Sequence, residues 1–241
     1  MPRPSKDRPY GTVKSRPRAA RKFSWDKCCW WWSIPEKRLK SEINFKRNKD
    51  QGDDFIPNSI DLLYKPYRLT PFNKVRIVMV THAPTRGTNG LGLSLSPDVP
   101  ITSSLQRNMK AELEADLGIR MRNFDLTPWA RKGILLINNY PIRVYRGNYT
   151  WVKTYKFLTM WTIRNLSSHH DKLVFILVGE GAAKLKKYID TTRHLVITTS
   201  TSHDPLHHPR FHNRYRGFKG SKVFSRACKF LGISTDIWRL E

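Results

Sequence analysis

Four short apolar runs in the chain have the length and composition of buried β-strands. Each is nearly continuously apolar and rich in β-branched and aliphatic side chains, as expected for strands covered on both faces of a sheet. The runs are VRIVMV (75–80), GILLINN (133–139), KLVFILVG (172–179) and HLVITT (194–199). Their pattern predicts a sheet buried between two layers of other structure.

Segments with helical spacing of apolar residues separate and follow these runs. They cover 104–118, 149–166, 181–190 and 225–233, and Gly232 closes the last one. Because strands alternate with helices, the sequence predicts a three-layer α/β/α sandwich around a central, mainly parallel four-stranded sheet. Ligands of such sheets bind at the carboxyl ends of the strands, where the segments THAPTRG, NNYP and TSHDPLHHP fall.

The N-terminal part differs in composition from the predicted domain, which we expect to span 56–241. Residues 1–25 carry many Lys and Arg but a single acid, interrupted by Pro and Ser, which predicts a disordered arm that contacts phosphates. Residues 26–55 contain the cluster Trp30–Trp32, and we expect this aromatic-rich segment to pack on the domain. Stacking on bases and docking of a partner protein are alternative roles for the cluster.

The charge balance indicates a polyanionic partner. There are 44 Lys and Arg against 19 Asp and Glu, a formal net charge of +25. This excess is far beyond what solubility requires and favours salt-sensitive binding to nucleic acid. Nucleic acid is therefore the expected partner. A preference for structured RNA, through the arm and the aromatic cluster, is an alternative.

Other features of the sequence exclude several classes of protein. Cys28, Cys29 and Cys228 are too few for a disulfide framework or a zinc site. No apolar run is long enough to span a membrane, and the N-terminus lacks the apolar core of a secretory signal. The four histidines of 203–212 could suggest a metal, but no paired Cys or Glu-x-x-His pattern supports one, and we predict neither a metal nor a cofactor. We expect a cytoplasmic protein, in a bacterial nucleoid or a virus-infected cell.

Five segments, in this order, resemble the uracil-DNA glycosylase superfamily from about Ile56 to the C-terminus. VRIVMVTHAPTRG resembles its first active-site motif, and VPITSSLQRNMKAEL resembles its proline-rich DNA-backbone loop. LTPWARKGILLINN resembles the block that carries the base-binding Asn, and KLVFILVG resembles the strand before a second backbone-gripping loop. RYRGFKGSKVFS is similar to the segment after a His-Pro motif. The resemblance implies an enzyme that flips a base out of DNA and hydrolyses its N-glycosidic bond, leaving an abasic site.

The resemblance also implies roles for individual residues. Asn138 would recognise the base edge, in a pocket with Ala83, Pro84, Thr85 and Leu93. The DNA-contacting residues would be Pro100, Ser103, Ser104, Gly179, Lys184, Leu206, Phe211, Arg214, Arg216 and Lys219, with Leu206 or Phe211 as the inserted wedge. The His-Pro register counted from the C-terminal side selects His208, whereas counting from the preceding strand selects His203. Both remain candidates for donating a hydrogen bond to the leaving base.

The first motif departs from the family pattern Gly-Gln-Asp-Pro-Tyr-His. Ala83 stands at the position of the water-activating Asp, and Thr85 at that of the Tyr that closes the pocket against 5-substituents. Leu93 falls near the position of the Phe that stacks on uracil. Asp98 is a candidate replacement carboxylate, with a turn residue as the alternative interpretation. A second departure is Glu180, which follows Gly179 at a position of Ser and would repel phosphate.

Two hypotheses follow from these departures. In the first, the enlarged pocket excises a bulky 5-substituted pyrimidine, such as hydroxymethylated or glucosylated cytosine of phage DNA, or uracil, and serves antiphage defence. In the second, the chain is a catalytically inactive protein that keeps the fold for DNA binding or assembly. Random decay would damage all sites equally, yet Asn138 and a His-rich second motif match the family pattern. The sequence therefore favours an active, atypical DNA glycosylase.

Overall fold

The computed structural model describes residues 24–25, 55–57, 60–84, 104–144, 150–200 and 217–240. The strands within these ranges are β1 (Phe55–Ile56), β2 (Ile77–Thr81), β3 (Ile134–Asn138), β4 (Arg143–Val144), β5 (Val174–Val178) and β6 (Leu195–Thr199). The α-helices are α1 (Ile60–Leu69), α2 (Ser104–Leu117), α3 (Thr127–Arg131), α4 (Thr150–His169), α5 (Glu180–Ala183) and α6 (Val223–Leu231). Across these ranges, no helix has the length and apolar character needed to cross a bilayer.

The central sheet has the strand order β3-β2-β5-β6, and every pair in it is parallel. β2 pairs with β3 so that Thr81 lies opposite Asn138, and β5 pairs with β6 so that Val178 lies opposite Thr199. A short antiparallel ladder of β1 and β4 lies apart from this sheet. The carboxyl ends of β2, β3, β5 and β6 therefore share one edge, and the predicted parallel four-stranded sheet is confirmed.

Two apolar clusters, one on each face of the sheet, form the core. Successive residues of β2 alternate between them: Val78 and Val80 pack with α1 and α4, whereas Ile77 and Met79 pack with α2 and α6. Strands covered on both faces are mostly apolar along their length, and β2, β3 and β5 are buried throughout, with polar residues only at their carboxyl ends. This arrangement is the predicted α/β/α sandwich.

The predicted helix over 181–190 is only partly α-helical, and this expectation is corrected. α5 makes a single turn, after which the chain tightens into a 3-10 helix over Lys184–Tyr188 and becomes extended at Ile189. The tighter winding buries Leu185 while the lysines on both sides of it stay exposed. α6 ends as predicted at Gly232, whose positive φ of 67° suits a helix C-cap.

Trp25 ties the boundary between the predicted arm and the aromatic-rich segment to the core. Its side chain is buried, and its Nε1 donates to the carbonyl of Thr70 at 2.9 Å. Its ring makes edge-to-face contacts with Tyr67 and Phe72 at centroid distances of 5.0 and 4.9 Å. The cluster Trp30–Trp32 lies outside the described residues, so its packing stays a prediction.

Two buried histidines at the amino edge of the sheet make the fold sensitive to acid. His170 precedes β5, and His194 precedes β6 and donates from its Nε2 to the carbonyl of Ser167 at 2.9 Å. Burial is the main cause that lowers the pKa of His170 from its ordinary 6.5 to about 4. The His194 imidazole adds to this effect, against an opposing hydrogen bond with the backbone of Phe72. A folded chain therefore keeps His170 neutral where an unfolded chain protonates it.

We expect the free energy of unfolding to fall as the pH drops from 6.5 to 4, by roughly 3 kcal/mol from His170 alone. The unfolded chain takes up the proton near pH 6.5 and the folded chain only near pH 4, so the stability is complete above 6.5. Urea unfolding of the wild type and of His170→Gln at pH 7.5 and pH 4 measures this contribution. An equal loss of stability in both proteins would contradict it.

Candidate active site

A buried polar pair closes the carboxyl ends of β2 and β3. Thr81 and Asn138 lie opposite each other in the sheet, and both are almost fully buried. Thr81 Oγ1 donates to Asn138 Oδ1 at 2.5 Å, and Thr159 Oγ1 donates to the backbone carbonyl of Asn138 at 2.6 Å. The hydroxyl of Thr81 thus fixes the rotation of the Asn138 amide, which is what recognition of a planar ligand edge requires.

A second polar group, formed by the side chains of His82 and Asn139, lies one residue further along β2 and β3. The pairing of β2 with β3 continues through Asn139 N, which donates to Thr81 O at 2.8 Å, and Tyr140 N, which donates to His82 O at 2.9 Å. The His82 ring contacts the Tyr140 ring edge-to-face at 5.3 Å. Burial, with a smaller contribution from Arg143, lowers the pKa of the His82 imidazole. His82 is therefore neutral at pH 7 and can accept a hydrogen bond.

Ala83 and Pro84 follow directly after His82. Ala83 is half-buried and Pro84 is buried, so both lie against the edge of the sheet rather than in an open loop. The methyl group of Ala83 can neither accept a proton nor orient a water molecule. Any acid-base chemistry at this position must use another group.

The segment after β5 lies at the same edge of the sheet as the carboxyl ends of β2 and β3. Gly179 N donates to Thr199 O at 2.7 Å, which joins this segment to β6. Glu180, at the start of α5, makes an ion pair with Lys184 at 3.1 Å. Both side chains are largely exposed, so the pair adds little stability, but it neutralises the carboxylate that would repel a phosphate. The role of Lys184 as a DNA contact stays a prediction.

Gly181 brings the backbone of α5 against the second polar group. A Cβ at this position would lie 3.0 Å from Asn139 Nδ2 and 3.3 Å from His82 Nδ1. A side chain there would crowd the buried amide of Asn139 and the ring of His82, both of which would have to shift to admit it. The three strand ends that carry His82, Asn139 and Gly181 are thereby held in mutual contact.

A buried carboxylate fixes the turn that contains Lys219. Glu112 of α2 accepts hydrogen bonds from the backbone N–H groups of Gly220 and Lys222, the latter at 2.6 Å. Asp116, one turn further along α2, accepts from Ser225 N at 2.8 Å. Lys219 is exposed on this turn, and Ser104, another predicted DNA contact, is the first residue of α2. α2 thus connects two segments that the sequence assigned to DNA binding.

Glu112→Ala is expected to lower the free energy of unfolding by about 3 kcal/mol and to weaken duplex binding several-fold. The change leaves two backbone N–H groups without their carboxylate acceptor and releases the turn of Lys219. Urea unfolding and salt-matched DNA titration measure both effects. Glu114→Ala on the same helix is the control, because Glu114 makes an exposed ion pair with Arg120 and its loss costs less than about 1 kcal/mol. Similar behaviour of the two variants would refute the role of Glu112.

Several predicted site residues lie outside the described residues. These are Thr85, Leu93, Asp98, Pro100, Ser103, His203, Leu206, His208, Phe211, Arg214 and Arg216. Their roles, and the choice between His203 and His208, stay predictions. The structure brings Pro84 and Asn138 to one edge of the sheet, as predicted, whereas the third predicted segment, TSHDPLHHP, lies outside the described residues.

Comparison with known proteins identifies the family, although no family model matches the chain. A curated uracil-DNA glycosylase of Enterococcus faecalis is 36% identical over 213 residues, which cover 85% of this chain and 91% of the relative. Its counterpart from Borrelia turicatae is 33% identical over 201 residues, which cover 80% and 86%. The chain belongs to the uracil-DNA glycosylase family.

The fold of this family member agrees with a solved structure. The crystal structure of mimivirus uracil-DNA glycosylase matches with a TM-score of 0.68 at 20% identity, covering 86% of this chain and 82% of that chain. The recognition of the family, the fold class and the enzyme class, a hydrolytic DNA glycosylase, are confirmed. That Ala83 stands at the position of the family's water-activating Asp is implied by the resemblance of the first motif and stays a prediction.

The sequence-based list of site residues omitted three polar residues that the structure places at this candidate site: Thr81, His82 and Asn139. Their positions in the sequence could have indicated them. Thr81 and His82 follow the apolar run 75–80, and Asn139 ends the run 133–139, so all three lie at strand ends, where ligands bind. The family pattern drew attention instead to Ala83 and Asn138, the neighbouring positions. Only the strand register shows that the four residues Thr81, His82, Asn138 and Asn139 form two adjacent pairs.

Proposed function

We propose that this chain excises an altered base from double-stranded DNA as a monomer and leaves an abasic site. The observation that carries the proposal is the buried pair of Thr81 and Asn138 at the carboxyl ends of two parallel strands, beside Pro84. An amide held in one orientation offers a fixed pattern of donor and acceptor atoms to the edge of a flipped base. The net charge of +25 supports a polyanionic substrate.

Catalysis at this site would rest on stabilising the charges that develop as the base leaves. Negative charge grows on the base, and hydrogen-bond donors near its oxygen lower the barrier. Asn138 would supply one donor, and His208 or His203 a second one. Asp98 is the sequence-based candidate for positioning the water. The exposed lysines Lys184 and Lys219 would contact the DNA backbone.

The substrate we propose is a pyrimidine with a bulky 5-substituent, with uracil as the simpler alternative. Thr85 replaces a Tyr, and Ala83 replaces an Asp, so the first motif carries less bulk and no carboxylate. Hydroxymethylated and glucosylated cytosines of phage DNA would fit a larger pocket. An enzyme with this specificity would work in the cytoplasm, where infecting DNA is present, and would serve antiphage defence.

The test is a set of matched duplexes that differ in one base: uracil, 5-hydroxymethylcytosine, glucosylated hydroxymethylcytosine and unmodified cytosine. Cleavage of the abasic product by alkali reports excision. We expect product from at least one altered duplex and none from unmodified cytosine. Salt-sensitive binding without product from any duplex would instead support an inactive DNA-binding protein. Product from uracil alone would exclude the enlarged-pocket specificity and the defence role derived from it.

A further inference from the structure

The side chain of Asn139 is a buried amide without a visible purpose in the fold. It is fully buried, and among the described residues neither its Nδ2 nor its Oδ1 has a hydrogen-bond partner. Leaving such a group unpaired costs about 1–3 kcal/mol, so native proteins supply a water molecule or a ligand to it. An amide that keeps both polar atoms unpaired at a ligand-binding edge indicates a partner that arrives from outside the chain.

His82 is the nearest group with complementary chemistry. Its Nδ1 and Asn139 Nδ2 both face Gly181, at 3.3 and 3.0 Å from the position that a Cβ would occupy there. The other face of the same strand tips carries Thr81 and Asn138, which form their own hydrogen bond. The edge of the sheet therefore carries two polar positions side by side. Thr81 and Asn138 form the base-recognising one, and His82 and Asn139 form the other.

Burial and, to a smaller extent, the nearby charge of Arg143 lower the pKa of the His82 imidazole. Arg143 of β4 acts on it directly and, after burial, is the second cause that lowers its pKa. Lys156 of α4 lies 5.1 Å from the centroid of the Tyr140 ring that packs on His82. Glu180 of α5 directs its carboxylate to Lys184 instead. A neutral imidazole at this position can take a proton, which the methyl of the adjacent Ala83 cannot.

We propose that His82 accepts the proton of the attacking water, which Asn139 helps to hold, in place of the carboxylate missing at Ala83. This inference rests on the proposed base excision. In the step, the water oxygen bonds to C1′ of the deoxyribose, and the C1′–N bond breaks with its electron pair going to the base. The water proton goes to His82. The base leaves as an anion held by the donors around Asn138, and His82 returns its proton to solvent.

The proposal predicts a distinct pH profile. His82 must be neutral to act, so the single-turnover rate falls on the acidic side as the imidazole becomes protonated below its lowered pKa. His82→Gln should lower the rate at pH 7.5 by about 10²-fold and abolish the acidic limb. Added imidazole should restore part of the rate of His82→Ala. Asn139→Ala should lose about tenfold, because Asn139 orients the water without taking its proton.

The experiment uses the full chain in excess over the duplex that the wild type processes best. His169→Gln is the matched control, since His169 lies at the end of α4, near the amino edge of the sheet, and its rate should equal that of the wild type. Melting temperature and duplex affinity are recorded for each variant to detect mere structural damage. Asp98→Asn is measured in parallel, because Asp98 competes for the same role.

Each outcome decides one question. A lost acidic limb in His82→Gln with duplex affinity unchanged supports the proposal. A rate of His82→Gln within threefold of the wild type, or loss of the acidic limb only in Asp98→Asn, overturns it while base excision stands. A wild type that releases no base from any duplex refutes the proposed function, and the role of His82 falls with it.

Discussion

Asn138→Ala is expected to lower single-turnover excision by about 10²- to 10³-fold while the Kd for the duplex stays nearly constant. The amide acts on the flipped base, where a preorganised donor stabilises the charge of the leaving group, and such donors have effects of this size. It is almost fully buried at the end of β3, so it has little part in gripping the DNA backbone. The measurement is alkali cleavage after mixing excess enzyme with labelled duplex, together with a binding titration.

The control for this change is Asn73→Ala, an exposed Asn in the 3-10 turn at the amino end of β2. It should retain the wild-type rate. Removing the Asn138 amide also leaves the hydroxyl of Thr81 without its acceptor, so a loss of about 1–3 kcal/mol in stability is expected and is checked by urea unfolding. Unchanged excision by Asn138→Ala, or a loss of duplex binding as large as the loss of rate, would refute base recognition by Asn138.

The sheet could be predicted from the sequence because its strands are short, nearly continuous apolar runs, as expected of strands buried on both faces. β5 is apolar over its full length and β2 is apolar up to Val80, and both strands are buried at every position. Only the strand ends differ: the predicted run 75–80 starts before the ladder does, since Val75 and Arg76 lead into it from the preceding turn. The layer order followed from the same alternation of strands and helices.

The polar groups of the site could not be predicted in the same way. The hydrogen bond of Thr81 with Asn138 joins residues 57 positions apart, and it exists only because the register places them opposite each other. The close approach of Gly181 to Asn139 depends on how α5 leaves β5. Periodicity identifies which residues are buried, but it carries no information on which strand tips meet. The short 3-10 winding after α5 is invisible to periodicity for a similar reason.

Long-range anchors are a further feature that a pattern of apolar residues does not reveal. Trp25 donates to Thr70, 45 residues later, and Glu112 accepts from Lys222, 110 residues later. Each is a single side chain whose partner is a backbone atom, so no complementary residue type marks the other end. The sequence showed that these side chains are aromatic or charged, and the structure shows what they hold.

Trp129→Ala is expected to lower the free energy of unfolding by about 3–5 kcal/mol and the Tm by about 10 °C. Trp129 of α3 has no exposed surface, and its ring packs edge-to-face on Trp238 at 5.0 Å. Its Nε1 donates to the carbonyl of Trp238 at 2.7 Å, which fixes the C-terminal turn on α3. The truncation therefore opens a cavity and removes a hydrogen bond in one step. Thermal and urea unfolding measure the loss.

Trp129→Ala should also displace Asn138, because α3 is connected to β3 by a very short segment. Only Lys132 and Gly133 separate the helix from the strand that ends at Asn138. Gly133 has a φ of +98°, and a Cβ there would lie 2.4 Å from the Lys74 carbonyl, so this link has little freedom to adjust. Trp129→Phe keeps most of the ring volume and should fold with a loss of about 1–2 kcal/mol and a near-normal excision rate per folded molecule. A Tm of Trp129→Ala within 2 °C of the wild type would contradict the packing role. An inactive but stable Trp129→Phe would show that α3 positions Asn138 more tightly than packing alone requires.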